Sequence, residues 1–377
     1  MLQYFQQARF VPIKDTGRMF TLKKIRVALI GYGRSGRNIH RKLLLQLPDK
    51  YEFVAFVEQD KERREMIERE NGVQALNDYR ELFGRTDIDL VINASFSFDH
   101  ARISYDLLAN GFDVLSEKPA SGNVNDFECA LKAAREHGKQ YFIFQQYRFA
   151  PAYMKMREIV ASGKLGRPVQ YTFNFDGFAR RWDWQTVHGF SAGSLRNTGP
   201  HPMDWALDVM GHPQDIDVFC AMDRAHTYGD GEDYVKMILR APGAPVCDIE
   251  ISSAFGFGGK DTYQVHGTRG CLTGTDNGLK WKYYVDEEAP EQHLTTTPLR
   301  TEDCTPIYCG EELPMHEEEW IPNAEEARTF NSKGLNYYNA LYDTLTTGAP
   351  FLIKNDEILL QLKITEEAYR QNADMFK

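Results

Sequence analysis

The sequence has no apolar run long enough to cross a bilayer, which takes about 20 residues. Its opening stretch, MLQYFQQARFVPIKDTGRMF, lacks the unbroken apolar core of a secretory signal, because Gln6, Gln7 and Arg9 interrupt it. The expectation is a cytoplasmic protein with no membrane partner. Basic charge is in deficit: 44 Lys plus Arg stand against 54 Asp plus Glu, a formal charge of −10. A nucleic-acid partner needs a basic face, so none is expected. Cysteine is sparse, with six residues and no CxxC pair. They read as reduced thiols rather than a disulfide frame. Cys304 and Cys309 lie close together, but no matching His/Cys pair accompanies them, and no metal site is expected. Internal repeats and low-complexity tracts are missing too.

What is present is an ordinary globular composition, 42% hydrophobic and 26% charged over 377 residues, enough for two or three domains. Residues 1–22 show no period and are taken as an N-terminal extension. From residue 23 the pattern sharpens. IRVALI, YEFVAFVEQ, DLVINAS, FDVLSEKP and YFIFQQYRF have the length and β-branched content of buried strands. Helical stretches such as RNIHRKLLLQL and DFECALKAAREHG alternate with them. That alternation predicts a parallel, doubly wound Rossmann sheet over residues 23–149. Beyond it, VQYTFNFDGF, DIDVFCAM, DYVKMILRA, CDIEISSAF, DTYQVHGT and LKWKYYV alternate apolar with polar residues between Pro, Gly and Asp turns. Residues 150–377 are therefore predicted to form an α+β domain with a large, mostly antiparallel open sheet, one face covered and one free. A helix, HPMDWALDVMG, interrupts the strands. Residues 286–325, acidic and Pro-rich, read as a long loop. Two helices, about 332–347 and 355–373, close the chain, with the option of packing back on the first domain.

Four features carry chemistry. Gly31-Tyr32-Gly33-Arg34-Ser35-Gly36 follows a strand and opens a helix. Gly31 permits the tight turn, Gly33 lets a pyrophosphate approach the backbone, and Gly36 lets helix pack on strand. The helix N-terminus then presents its free N–H groups to phosphates. Glu58 ends the second strand, 22 residues after Gly36, near the roughly 20 expected for the acid that binds the adenosine ribose. A carboxylate there repels a 2′-phosphate, which favours NAD over NADP, with Arg34 and Arg63 as counterarguments. Ser116-Glu117-Lys118-Pro119 ends the fourth strand, at the sheet edge where ligands bind. A lysine there, beside an oxidised nicotinamide, can shuttle a proton. Gly199-Pro200-His201-Pro202-Met203-Asp204 opens a helix that aims His201 at a cleft, with Asp204 on the same face to orient the ring. By itself such a pair is more often a capping arrangement.

Taken together, GxGxxG, an acidic strand end, E-K-P and a GxHxxD helix resemble the glucose–fructose oxidoreductase/inositol dehydrogenase (Gfo/Idh/MocA) family. ASFSFDHARISYDLLANGFDVLSEKPAS resembles that family's third strand through its E-K-P segment, and QQYRFAPAYMKMREIVASGKLGRPV its domain junction. The likeness runs from about Ile25 to Gly211. It implies an NAD(P)-dependent oxidoreductase of sugars or polyols that assembles as a homodimer or homotetramer. Lys118 matches the family's catalytic lysine and His201 its catalytic histidine. Glu117, Ala94, Ser95, His100 and Gln146 match positions lining the cofactor. One position departs: where the family usually has Asp, four residues before the histidine, this chain has Asn197. Asn hydrogen-bonds a hydroxyl but cannot take its proton. Arg148, Asn197, His201 and Asp204 are assigned to the substrate side. So are Arg180, Trp182 and Trp184 of FDGFARRWDWQTVHGF, where tryptophan faces suit a sugar ring and arginines its hydroxyls; a tryptophan-anchored subunit interface is the equal alternative.

Three functions compete. The first is an NAD-dependent dehydrogenase of a secondary hydroxyl in a sugar or glycoside, with oxidation at C3 of a glycosidic sugar as its attractive form. The second is a glycosidase that keeps its NAD and cycles through oxidation, elimination, hydration and reduction. The third is a non-enzymatic sugar or dinucleotide sensor.

Overall fold

The computed structural model describes residues 23–257, 260–327 and 329–377; the expected extension over residues 1–22 lies outside them. Five short β-branched runs form one parallel sheet: β1 (Ile25–Ile30), β2 (Tyr51–Val57), β3 (Leu90–Asn93), β4 (Val114–Ser116) and β5 (Tyr141–Ile143). The strand order is β2-β1-β3-β4-β5. Val27, Ile92 and Leu115 are fully covered, because helices pack on both faces. The helix after β1 begins as a π-wound segment, Gly36–Arg41, and continues as α1 (Lys42–Leu44). Next come α2 (Lys61–Asn71), α3 (His100–Ala109) and α4 (Val124–Glu136). Side chains start two of them: Asp60 accepts the Arg63 N–H at 2.9 Å, and Asn123 that of Asp126 at 2.8 Å.

A 3₁₀ turn, Gln146–Phe149, leads through α5 (Pro151–Ala161) into the second sheet. Its strands are β6 (Pro168–Asp176), β7 (Asp217–Asp223), β8 (Tyr234–Arg240), β9 (Val246–Ser252), β10 (Tyr263–Gly267), β11 (Gly270–Thr275), β12 (Gly278–Tyr283) and β13 (His316–Trp320). The order is β13-β12-β11-β10-β6-β9-β8-β7, antiparallel except for the β6–β9 pair. Alternation sorts each strand. Cys247, Ile249 and Ile251 of β9 face the core, while Asp248 and Glu250 face outward and pair with Lys236 of β8 at 2.7 and 3.3 Å. Two helices between β6 and β7, α6 (Ser194–Asn197) and α7 (Pro200–Met210), sit on the covered face.

β13 corrects the expected loop over 286–325. HEEEW looks too acidic for a strand, but it pairs with β12 at the sheet edge, where Lys282 meets Glu317, and Lys164 and Tyr283 meet Glu318 at 2.6 and 2.7 Å. The last helices are α8 (Thr329–Thr347) and α9 (Asn355–Gln371). α8 joins the first sheet's core through Tyr337, Tyr338 and Leu341, and α9 contributes to both cores. Among the described residues no helix is long and apolar enough to cross a membrane.

Candidate active site

The C-terminal ends of β1, β2 and β3 open into a cavity of about 690 Å³, lined by Gly31, Gly33, Arg34, Ser35, Glu58, Ala94 and Ser95, among others. Glycine is required twice in its floor. Gly31 has φ +84°, and a Cβ there would lie 2.4 Å from the Ala94 carbonyl oxygen. A Cβ on Gly36 would lie 1.8 Å from the Gly31 oxygen. At Gly33, by contrast, a Cβ would project into open space, with Arg63 3.8 Å away; this is the gap a pyrophosphate would fill. Glu58 sits at the outer end. Its Oε2 accepts the Tyr32 N–H at 2.7 Å and its Oε1 the Asp60 N–H at 3.0 Å, so the carboxylate ties the glycine turn to β2. Arg63 stands 3.8 Å from it. The Tyr32 side chain does not face the cavity: it is buried and donates to Glu70 at 2.6 Å. Its expected cofactor contact is thus a backbone role.

This cavity adjoins a second, of about 410 Å³; Arg34, Ser35, Ser95, Trp184 and Gln185 line both. The inner cavity also meets Glu117, Lys118, Gln146, Tyr147, Asn197 and His201. Lys118 follows β4, and its ammonium donates to the Asn197 carbonyl. Burial lowers its pKa; Glu117 opposes the shift, and the Arg34 and Arg181 charges add to it. Glu117 is fixed from behind. The Lys118 N–H donates to its Oε2 at 3.0 Å, and His40 Nε2 lies 3.2 Å from its Oε1. Tyr338 of α8 holds His40 Nδ1 at 2.6 Å. The tautomer protonated on Nε2 satisfies both contacts. Burial would push the Glu117 carboxyl up, but His40 and Lys118 outweigh it and hold it at about 2.

His201, 6% exposed, stacks on Tyr147 with ring centres 3.9 Å apart. Its Nδ1 has no hydrogen-bond partner among the described residues, and the same is true of Gln146 Oε1. Burial, followed by the charges of Lys118 and Lys333, pushes the imidazole well below its ordinary value. His100 lines the wall, with its ring nitrogens against Pro119 O at 2.7 Å and Ser95 O at 3.1 Å. Two adjoining cavities, a carboxylate at one end and unpartnered polar atoms at the other suit an elongated dinucleotide with room beside it for a small substrate.

Four expected substrate residues are not at the cleft. Arg148, 3% exposed, donates from Nε and Nη2 to Asp204 at 2.7 Å each, and reaches Asp208 and Glu357 at 3.2 Å. Asp204 is therefore spent on Arg148 and on Gln361 at 2.9 Å, and does not orient His201. Three positions along α7 carry the two side chains to different partners. Trp182 is 79% exposed and lines neither cavity, and Arg180 turns outward to the Tyr228 hydroxyl. Trp184 does reach the site, where it meets aromatics the sequence pattern does not single out. Phe96 and Phe98 stack at 5.3 Å, and Trp184 sets its ring edge-on to Phe96 at 5.1 Å. His40, Tyr147, Gln185 and Lys333 also join the site without having been expected there. The spacing of His40, four residues after Gly36, was the available signal.

The model of the oxidoreductase family, NAD-binding Rossmann fold, matches residues 25–145, and that of the GFO/IDH/MocA C-terminal domain matches residues 153–273. The chain belongs to the GFO/IDH/MocA family. The uncharacterized oxidoreductase YhhX of Escherichia coli is 23% identical over 359 residues, covering 92% of this chain and 96% of YhhX. The scyllo-inositol 2-dehydrogenase (NADP(+)) IolW of Bacillus subtilis is 22% identical over 371 residues, covering 93% and 94%. Among solved structures, the WlbA dehydrogenase of Bordetella pertussis, in complex with NADH and UDP-GlcNAcA, superposes with a TM-score of 0.73 at 20% identity, covering 94% and 97%. The likeness to the WlbA fold extends over nearly the whole chain, and the chain is a member of an oxidoreductase family with an NAD-binding domain.

Proposed function

We propose that this family member is a dehydrogenase of a secondary hydroxyl in a sugar, polyol or glycoside, and that it uses NAD rather than NADP. The observation that carries the reading is the shared inner cavity of Lys118 and His201, directly beside the nucleotide cavity. A bound nicotinamide supplies the hydride acceptor. Lys118, its neutral form favoured by burial, takes the hydroxyl proton at Nζ while the Asn197 carbonyl holds it in place. Asn197 itself accepts no proton, and His201, pushed well below its ordinary value, is a poor acceptor, which leaves Lys118 as the base. His201 stays uncharged and offers a ring nitrogen to the same hydroxyl. NAD selection is assigned to Glu58, which lines the nucleotide cavity at the end of β2, where a carboxylate would repel a 2′-phosphate. IolW is named for NADP, so the preference rests on Glu58 of this chain alone. The sugar class draws support from the names of IolW and of the WlbA complex.

Within the reading, oxidation at C3 of a glycosidic sugar is the form we favour. Trp184, Phe96 and Phe98 give the mouth an apolar rim suited to an aglycone. A ketone at C3 also acidifies the neighbouring C2 hydrogen. The test is a panel of polyols, sugars and aryl glycosides with added NAD, followed by nicotinamide absorbance and aglycone release. NADH formation supports the dehydrogenase. Aglycone release without net NADH points instead to the redox-cycling glycosidase. No change with any compound, in enzyme shown to bind NAD, overturns both.

A further inference from the structure

Lys333 lies on α8, an element that returns to the first sheet after the last strand of the second sheet. It is 3% exposed. Its Nζ stands 3.4 Å from the centre of the Tyr147 ring. The His201 imidazole stacks on that ring at 3.9 Å, tilted by 26°. Two groups so close to one ring centre cannot share a face, so the phenol is sandwiched between the ammonium and the imidazole. A tyrosine face attracts a cation. Either face can do so, but an imidazolium opposite Lys333 would meet its ammonium across the ring, and two like charges held that close repel.

We propose that Lys333 is a positioning residue for the cleft: through Tyr147 it keeps His201 uncharged, so that His201 acts as a hydrogen-bonding group and Lys118 alone carries the proton. Among the described residues, the charged or titratable groups bearing on His201 include Lys118 after β4, Tyr147 in the turn before α5, and Lys333 on α8; Asp276, between β11 and β12, is one of the groups bearing on Lys333. On α7 itself, Asp204 is committed to Arg148. Lys118 cannot substitute for Lys333, because its ammonium must lose its charge for the proposed chemistry. Lys333 behaves oppositely: burial lowers it only to about 8, so its charge persists through neutral pH.

The consequence for turnover rests on the dehydrogenase reading; the charge of the imidazole does not. The experiment is therefore nitrogen NMR of histidine-labelled full-length protein, with His201 assigned by loss of its signal in His201→Gln. Wild type, Lys333→Met, Lys333→Gln and Lys333→Arg are titrated, and kcat/KM is recorded across the same pH range. The expected result is an imidazole that stays neutral in wild type and in Lys333→Arg, but whose pKa rises by about one unit in Lys333→Met or Lys333→Gln. Below the limb set by Lys118, the second and steeper acid limb of kcat/KM should move with it. An unchanged His201 titration in whichever neutral variant folds overturns the inference, and so does a pH profile that moves while the imidazole does not. A shifted imidazole with an unshifted profile keeps the action of Lys333 and refutes the role given to His201 in the reaction.

Discussion

The turn before α5 and the start of α7 each present two kinds of polar residue, and the two kinds behave oppositely. On one side Arg148 and Asp204 meet as a buried ion pair, with Asp208, Glu357 and Gln361 completing the set. On the other, Gln146 and His201, only two and three residues away in sequence, line a cavity and keep buried polar atoms unpartnered. Buried polar groups are normally satisfied, so the satisfied side reads as structure and the unsatisfied side as chemistry. The difference also teaches that residue type does not sort the two. Arginine and aspartate, the obvious sugar-binding candidates, went to the fold.

The largest expected effect falls on the cleft side. Lys118→Met should lower kcat by about 10²–10⁴-fold, the range for loss of a general base, with NAD affinity retained. Stopped-flow nicotinamide absorbance and NAD titration separate the two. The rate should also climb with pH in wild type. Burial lowers the Lys118 pKa, the neutral amine is the active form, and activity is therefore lost as pH falls through that lowered value.

On the structural side, Arg148→Met leaves Asp204 buried without its cation and should cost about 3–5 kcal/mol in urea unfolding. The turnover of the molecules that remain folded should be close to wild type. Lys333 gives a third contrast, a buried charge that serves the cleft at the expense of stability. Its pKa falls from 10.5 to about 8. The native state therefore binds its proton less well than the unfolded chain. The penalty is fully present below pH 8 and fades as pH rises toward 10.5. The stability of Lys333→Met relative to wild type should thus fall as pH rises from about 8 toward 10.5. Urea unfolding at three pH values reads the trend.

Glu58→Gln should narrow the preference for NAD over NADP by about tenfold in kcat/KM, the scale of one modest charge interaction. Trp184→Ala, which removes the ring shared by the two cavities, should weaken nucleotide binding in the same NAD titration. The smallest effect belongs to Trp182→Ala. An indole 79% exposed and away from both cavities should change stability by no more than about 0.5 kcal/mol and leave activity unmoved.

Much of this was legible in the chain, and for local reasons. The glycine turn, Glu58, Glu117 and Lys118 all sit at strand ends, where spacing along the sequence translates directly into position at a sheet edge. The alternating strands of the second sheet were readable for the same reason. What escaped depends on rotation and long-range return. A helix carries residues three apart to nearby azimuths, but the partner decides which way each side chain turns, and Arg148 captured Asp204. Tyr338 and Lys333 reach the site from α8, long after the His40 and Tyr147 side chains they touch, and no local spacing announces that. The acidic composition of β13 does not announce a strand, because its pairing is supported from outside, by Lys282 across the ladder and by Lys164 in the turn before β6.

The central claim is that the unsatisfied side of these two segments does the chemistry. Turnover and urea unfolding of Lys118→Met and Arg148→Met, measured in parallel on full-length protein with NAD and the best substrate of the panel, test it most directly. The account predicts that Lys118→Met unfolds like wild type or later and fails to turn over, whereas Arg148→Met unfolds earlier and turns over while folded. A Lys118→Met protein that oxidises substrate at the wild-type rate would contradict it.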